Sequence, residues 1–103
     1  MPELDKIIHQ PVRLKVMSAL RELPLGDQVE FMYLKKILKV TDGNLGIHLG
    51  KLEESGYIEI EKMFVNKKPK SYISLTKNGK NAFETHLEAL QEILNLSQKE
   101  PTP

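Results

Sequence analysis

Apolar residues recur along this chain at a spacing that shifts from the helical period of about 3.6 to the strand period of about 2 and back again. From Glu3 to His9 a short amphipathic segment carries Leu4, Ile7 and Ile8 on one side, and Gln10-Pro11 breaks it. Pro11 suits the first position of a new helix, where its missing N–H needs no partner. Val12, Val16, Ala19, Leu20 and Leu23 then recur at helical spacing, widened by Leu14 and Met17. This helix must stop before Pro24, because a residue preceding proline avoids helical angles. Leu25-Gly26-Asp27 reads as a loop and Val29 to Phe31 as a short strand. Met32 to Leu38 reads as a short helix, with Leu34, Ile37 and Leu38 inward and Lys35, Lys36 and Lys39 outward.

Val40-Thr41-Asp42-Gly43 is a turn in which Thr41 can cap the next helix through its hydroxyl. That helix buries Leu45, Leu49 and Leu52 as a narrow stripe and ends at Gly56, a residue able to take the left-handed angle. From Tyr57 to Phe64 apolar and polar residues alternate, with Ile58, Ile60 and Phe64 inward. A polar turn over Val65 to Pro69 leads to a second strand over Ser71 to Leu75. Thr76 caps a last helix whose apolar stripe is Ala82, Phe83, Leu87, Leu90, Ile93 and Leu94. The reading is one domain over 1–96, mainly α with a small antiparallel β-hairpin (α+β), and a disordered tail over 97–103.

Two helices joined by a tight turn and followed at once by a hairpin form the order of a winged helix-turn-helix, here with N- and C-terminal helices for dimerisation. The net charge is only +1, but its distribution is uneven. Lys62, Lys67, Lys68, Lys70, Lys77 and Lys80 occur with no Asp or Glu among them, whereas Glu84, Glu88, Glu92 and Glu100 dominate the stretch that follows. Such asymmetry steers a polyanion; a solvated lysine-rich loop would look the same.

In a helix-turn-helix the second helix enters the major groove, where outward side chains reach base edges. The buried leucines fix the outward set as Gly43, Asn44, Ile47, His48 and Lys51, with Thr41 at the helix start. Asn44 can pair with adenine, Ile47 can touch a thymine methyl, and His48 and Lys51 can bond a base or a phosphate. Lys67, Lys68 and Lys70, stiffened by Pro69, would lie on the phosphate backbone or in the minor groove and supply affinity and salt dependence. Lys35 and Lys36, with Lys39, would clamp the backbone on the other side. Asn44 also reads as a simple helix-start residue and His48 as a surface histidine. Gly43, Gly46 and Gly50 in one short helix cost about 1 kcal/mol each where they lie in its interior. Either the backbone approaches DNA closely there, or the leucines carry the loss. Leu87, Leu90, Ile93 and Leu94 of the last helix, with Leu4, Ile7 and Ile8, are candidates for a homodimer interface, which would set two recognition helices about 34–36 Å apart.

These residues resemble a known family, the small archaeal and bacterial winged-helix regulators related to the MarR and ArsR types. The resemblance runs from about Leu4 to Leu94. It rests on Leu4-Asp5 with Ile8-His9-Gln10-Pro11-Val12-Arg13-Leu14, on Thr41-Asp42-Gly43-Asn44-Leu45 with His48-Leu49 and Leu52-Glu53, and on Gly56-Tyr57-Ile58, Lys68-Pro69, Leu75-Thr76-Lys77-Asn78-Gly79 and Ala82-Phe83. It implies a homodimeric DNA-binding regulator in which Asn44, His48 and the wing lysines face DNA. Gly46 and Gly50 depart from it by replacing larger polar residues. The cysteine metal-sensing motif of ArsR-type proteins has no counterpart, since the chain has no cysteine.

No motif joins a hydroxyl to a histidine and a carboxylate, and no glycine-rich phosphate loop occurs, so the chain does not read as an enzyme. No metal or cofactor is expected, and His9, His48 and His86 read as surface residues. No apolar run reaches the roughly 18 residues of a membrane span, so the expected location is cytoplasmic. Double-stranded DNA is the expected partner; nothing in the sequence requires a small-molecule effector. The competing reading is a winged-helix module that binds protein, which should expose apolar groups rather than lysines on its wing.

Overall fold

The computed structural model describes residues 2–99. The elements follow the order α1 (Pro11–Arg21), β1 (Gln28–Glu30), α2 (Phe31–Leu38), α3 (Asp42–Glu54), β2 (Ile58–Val65), β3 (Lys68–Leu75) and α4 (Lys77–Lys99). Pro11 opens α1, and the Gln10 side chain caps it by accepting from Arg13 N at 2.9 Å. The short strand before α2 joins the hairpin, so the sheet has three antiparallel strands in the order β1-β3-β2. Val29, Ile60 and Ile73 lie side by side on its inner face.

That inner face, α1, α2 and α3 enclose the core, in which Val16, Met17, Leu20, Leu34, Leu45, Leu52 and Ile73 are buried. Each such side chain contributes roughly 1.5–3 kcal/mol by leaving water. Phe83 of α4 closes the core from below. The approach of α4 to the sheet depends on a glycine. A Cβ on Gly79 would stand 2.0 Å from the Tyr57 carbonyl oxygen, so no larger residue fits without moving the backbone. The same corner is tied by Thr76, whose hydroxyl donates to Gly56 O at 2.7 Å and accepts from Gly79 N at 2.9 Å.

The N-terminal segment differs from the expected helix. Residues 6–8 form a single turn: the Asp5 carboxylate caps it by accepting from Ile7 N (2.8 Å) and Ile8 N (3.1 Å), His9 N closes it onto Asp5 O, and the extended Gln10 ahead of Pro11 ends it. Ile8 is buried in its own domain's core, so it is not free to form a dimer contact as the sequence suggested. Ile7 and Leu87 also pack against this core as half-buried neighbours. At the other end, α4 runs through residues 97–99 of the segment expected to be a tail; residues 100–103 of that expectation lie outside the described residues. Among the described residues no helix is long and apolar enough to cross a membrane.

Candidate nucleic-acid interface

The helix-turn-helix is built from α2 and α3. Lys39 ends α2 in the left-handed region (φ 56°), a conformation that costs a non-glycine residue about 1 kcal/mol. This reverses the chain within the Lys39-Val40-Thr41 turn. Thr41 then caps α3, its hydroxyl accepting from Asn44 N at 3.1 Å. The cap takes one acceptor site of the Thr41 hydroxyl, and the Asn44 side chain is left exposed. Lys35 Nζ lies 2.7 Å from Asp42 Oδ1 and joins the two helices across the turn. Lys35 therefore braces the motif, whereas Lys36 makes no ion pair among the described residues.

With Leu45, Leu49 and Leu52 buried, a 100° step per residue sorts the rest of α3 into three strips. Asn44, His48 and Lys51 share the flank toward α1. Gly43, Ile47, Gly50 and Glu54 point away from the core, and Ile47 is 66% exposed. Gly46 and Glu53 lie toward the sheet. Leu49, Gly46, Gly50, Glu53, Ile60 and Lys62 line a groove of about 630 Å³ between α3 and the wing. A Cβ on Gly43, Gly46 or Gly50 would meet nothing within 4 Å. Close packing within the domain therefore does not explain these glycines.

His48 is held from α1. Arg13 bridges two groups: its Nε donates to the Ile7 carbonyl, and its Nη1 lies 3.0 Å from His48 Nδ1. Burial, and then the Arg13 charge, keep the imidazole below its ordinary pKa. His48 is accordingly half-buried rather than a free surface residue. Arg13 has no sequence signal that would have marked it, since its partner lies 35 positions away.

The wing is β2 and β3, joined by Asn66 and Lys67, both at positive φ (53° and 64°). This is a two-residue turn of the mirror-image kind that matches strand twist. The turn is thus shorter than expected, and Pro69 lies in β3 opposite Phe64. In such a hairpin the pair next to the turn, Val65 and Lys68, takes the ladder bonds, so the proline one step further loses none. Lys67 and Lys68 sit at the tip. Lys70 lies lower and faces Glu30, Nζ to Oε1 3.5 Å. Phe64 is not inward as the alternation suggests. It keeps the inner-face register, but the three-residue β1 and the core end below it, leaving it 77% exposed among lysines.

His9 is exposed as expected, but His86 departs from expectation. His86 of α4 is fully buried, with Nδ1 accepting from Asp5 N at 2.9 Å and Nε2 unpartnered. The His9 ring lies 5.3 Å from it. Burial and the neighbouring His9 hold His86 below its ordinary pKa, against the opposing pull of Asp5. Among the described residues no group of three or more histidines and carboxylates gathers as a metal site.

Residues 12–94 match the family described as the winged helix DNA-binding domain. An uncharacterized protein of Methanocaldococcus jannaschii is 41% identical over 93 residues, covering 90% of this chain and 95% of that protein. Among solved structures, a transcriptional regulator homologue from Pyrococcus horikoshii OT3 superposes with a TM-score of 0.77 at 27% identity, over 86% of this chain and 85% of the other. A MarR-family protein from Porphyromonas gingivalis W83 gives 0.64 at 18% identity, over 93% and 86%, a likeness of fold alone.

Proposed function

The chain belongs to the winged helix DNA-binding domain family and is a DNA-binding transcription regulator; we propose that it reads duplex DNA sequence-specifically as a homodimer. In this reading α3 enters the major groove and the wing tip follows the backbone or the minor groove. One observation carries it: the flank of α3 opposite the buried leucines is uncovered. Ile47 is exposed there, Asn44 and Lys51 are exposed on the adjoining strip toward α1, and the hairpin carries Lys67 and Lys68 at its tip. Lys36, Lys51, Lys67 and Lys68 form the phosphate-contacting set, since none is engaged in an ion pair among the described residues. Lys35 and Lys70, each facing a carboxylate, add less. The family and fold are those of regulators rather than enzymes.

The dimer reading draws on the far end of α4. Ile93, Leu94 and Leu96 are exposed there, and a cleft of about 370 Å³ opens between Leu4 and the face bearing Ala89, Ile93 and Leu96. A second copy laid along this face would cover these residues and extend a core that is small for an isolated domain.

A protein-docking wing is the second reading, and the exposed aromatic ring of Phe64 favours it. Selection of bound duplexes from a random pool separates the two. A DNA regulator should enrich a two-fold-symmetric sequence whose binding weakens steeply with salt. Failure to enrich any duplex would leave the docking reading in place.

A further inference from the structure

The contact between Arg13 and His48 has a consequence for which bases the recognition helix can accept. A guanidinium carries only donors, so at 3.0 Å the Arg13 Nη1–H must donate to a lone pair on His48 Nδ1. The proton of the neutral imidazole then resides on Nε2. His48 Nε2 has no hydrogen bond among the described residues and is not one of the buried orphan atoms, so it reaches solvent. Arg13 is itself fixed, because its Nε is spent on the Ile7 carbonyl and its backbone N–H on the Gln10 cap. The imidazole therefore cannot flip to offer an acceptor without losing this bond.

We propose that Arg13 is a positioning residue for base reading: by occupying His48 Nδ1 it leaves Nε2–H as the single polar group His48 presents to the major groove. A lone donor suits purine N7, guanine O6 or thymine O4, and it is mismatched with the cytosine N4 amino group, which is itself a donor. His48 thereby excludes cytosine at the base it faces. This inference rests on the reading that α3 enters the major groove, and it narrows that reading to one pair of residues.

Duplex selection on the full chain, alone and as His48→Ala, Arg13→Met and Arg13→Lys, tests it, with ¹⁵N NMR of the imidazole in free protein alongside. Lysine retains the charge and guards against a failure of the methionine variant to fold, yet its single nitrogen cannot span Ile7 O and His48 Nδ1 as the guanidinium does. The expected wild-type pool lacks cytosine at one position per half-site, and the free protein shows an Nε2-protonated ring with a hydrogen-bonded Nδ1. Both Arg13 variants should readmit cytosine there, with the salt dependence unchanged, and His48→Ala should remove the discrimination and make the Arg13 changes silent. Uniform weakening on every duplex, with a salt slope lowered by about one unit, would make Arg13 a direct phosphate contact and overturn the proposal. An unchanged pool for His48→Ala would overturn it as well. Both of these results leave DNA binding standing, whereas a wild type that selects no duplex defeats the broader reading.

Discussion

The hydroxyl of Tyr57 donates to Asp5 Oδ2 at 2.5 Å, joining residues 52 positions apart. It fastens the N-terminal turn to the foot of the wing. The same turn offers its Ile7 carbonyl to Arg13 and its Asp5 amide to His86. The wing, α1 and α4 thus meet at one short segment.

This bond predicts a pH signature. Burial alone would raise the Asp5 carboxyl, but the Tyr57 hydroxyl and the Ile8 and Ile7 amides outweigh it and hold the group below 3.8. Asp5 therefore contributes stability above about pH 4 that is lost as pH falls through its folded-state value. The bond to Asp5, aided by burial, pushes Tyr57 from 10.0 to about 12. Its contribution is complete below about pH 10 and lost as pH rises toward 12. Tyr57→Phe should cost about 1–3 kcal/mol at neutral pH and shrink both limbs, as measured by thermal unfolding across pH. Coincident wild-type and variant profiles would remove the bond from the stability of the fold.

At the wing the lysines divide by their partners. Lys67→Ala with Lys68→Ala should lower the slope of log affinity against log salt by about two units. Lys70→Ala should change it less than either, because Lys70 already faces Glu30. Affinity titrations at a series of salt concentrations check this, and equal effects at all three positions would contradict it.

Gly50→Ala should stabilise the protein, since α3 is helical there and the added methyl meets only open space. The expected gain is about 0.4–1 kcal/mol. Binding to duplex should weaken at the same time, because the methyl stands on the strip beside Ile47 that the groove would have to admit. Increased stability with undiminished affinity would mean that the glycine is merely tolerated.

Local chemistry in the sequence was enough to place most elements. Pro11, Thr41 and Gly56 mark helix ends by what their own backbone and side chains can do, and the spacing of Leu45, Leu49 and Leu52 fixes the orientation of α3. Contacts set by tertiary approach were not legible. Nothing near Ile8 signals that the turn capped by Asp5 would fold back and bury that residue, and His86 carries no mark of its burial against the N-terminal turn. The exposure of Phe64 depends on where β1 ends, a matter of sheet length rather than alternation. Alternation also could not show that Asn66 and Lys67 would form so tight a turn, which moved Pro69 and Lys70 off the tip. The Arg13–His48 pair joins two helices whose packing no periodicity encodes.

Leu94, 62% exposed near the end of α4, tests the proposed assembly. Leu94→Glu should leave the fold intact, since the residue is not in the core, and should convert a wild-type dimer to a monomer in analytical ultracentrifugation. A monomeric wild type would reject the interface on α4.

Asn44→Ala, with affinities measured for a selected duplex and a random one, asks most directly whether the open flank of α3 reads bases. The Thr41 cap uses only the Asn44 backbone, so the fold should persist. The selected duplex should lose about 1–3 kcal/mol while the random duplex loses almost nothing. Equal losses on both, or none on either, would mean that this flank does not read sequence.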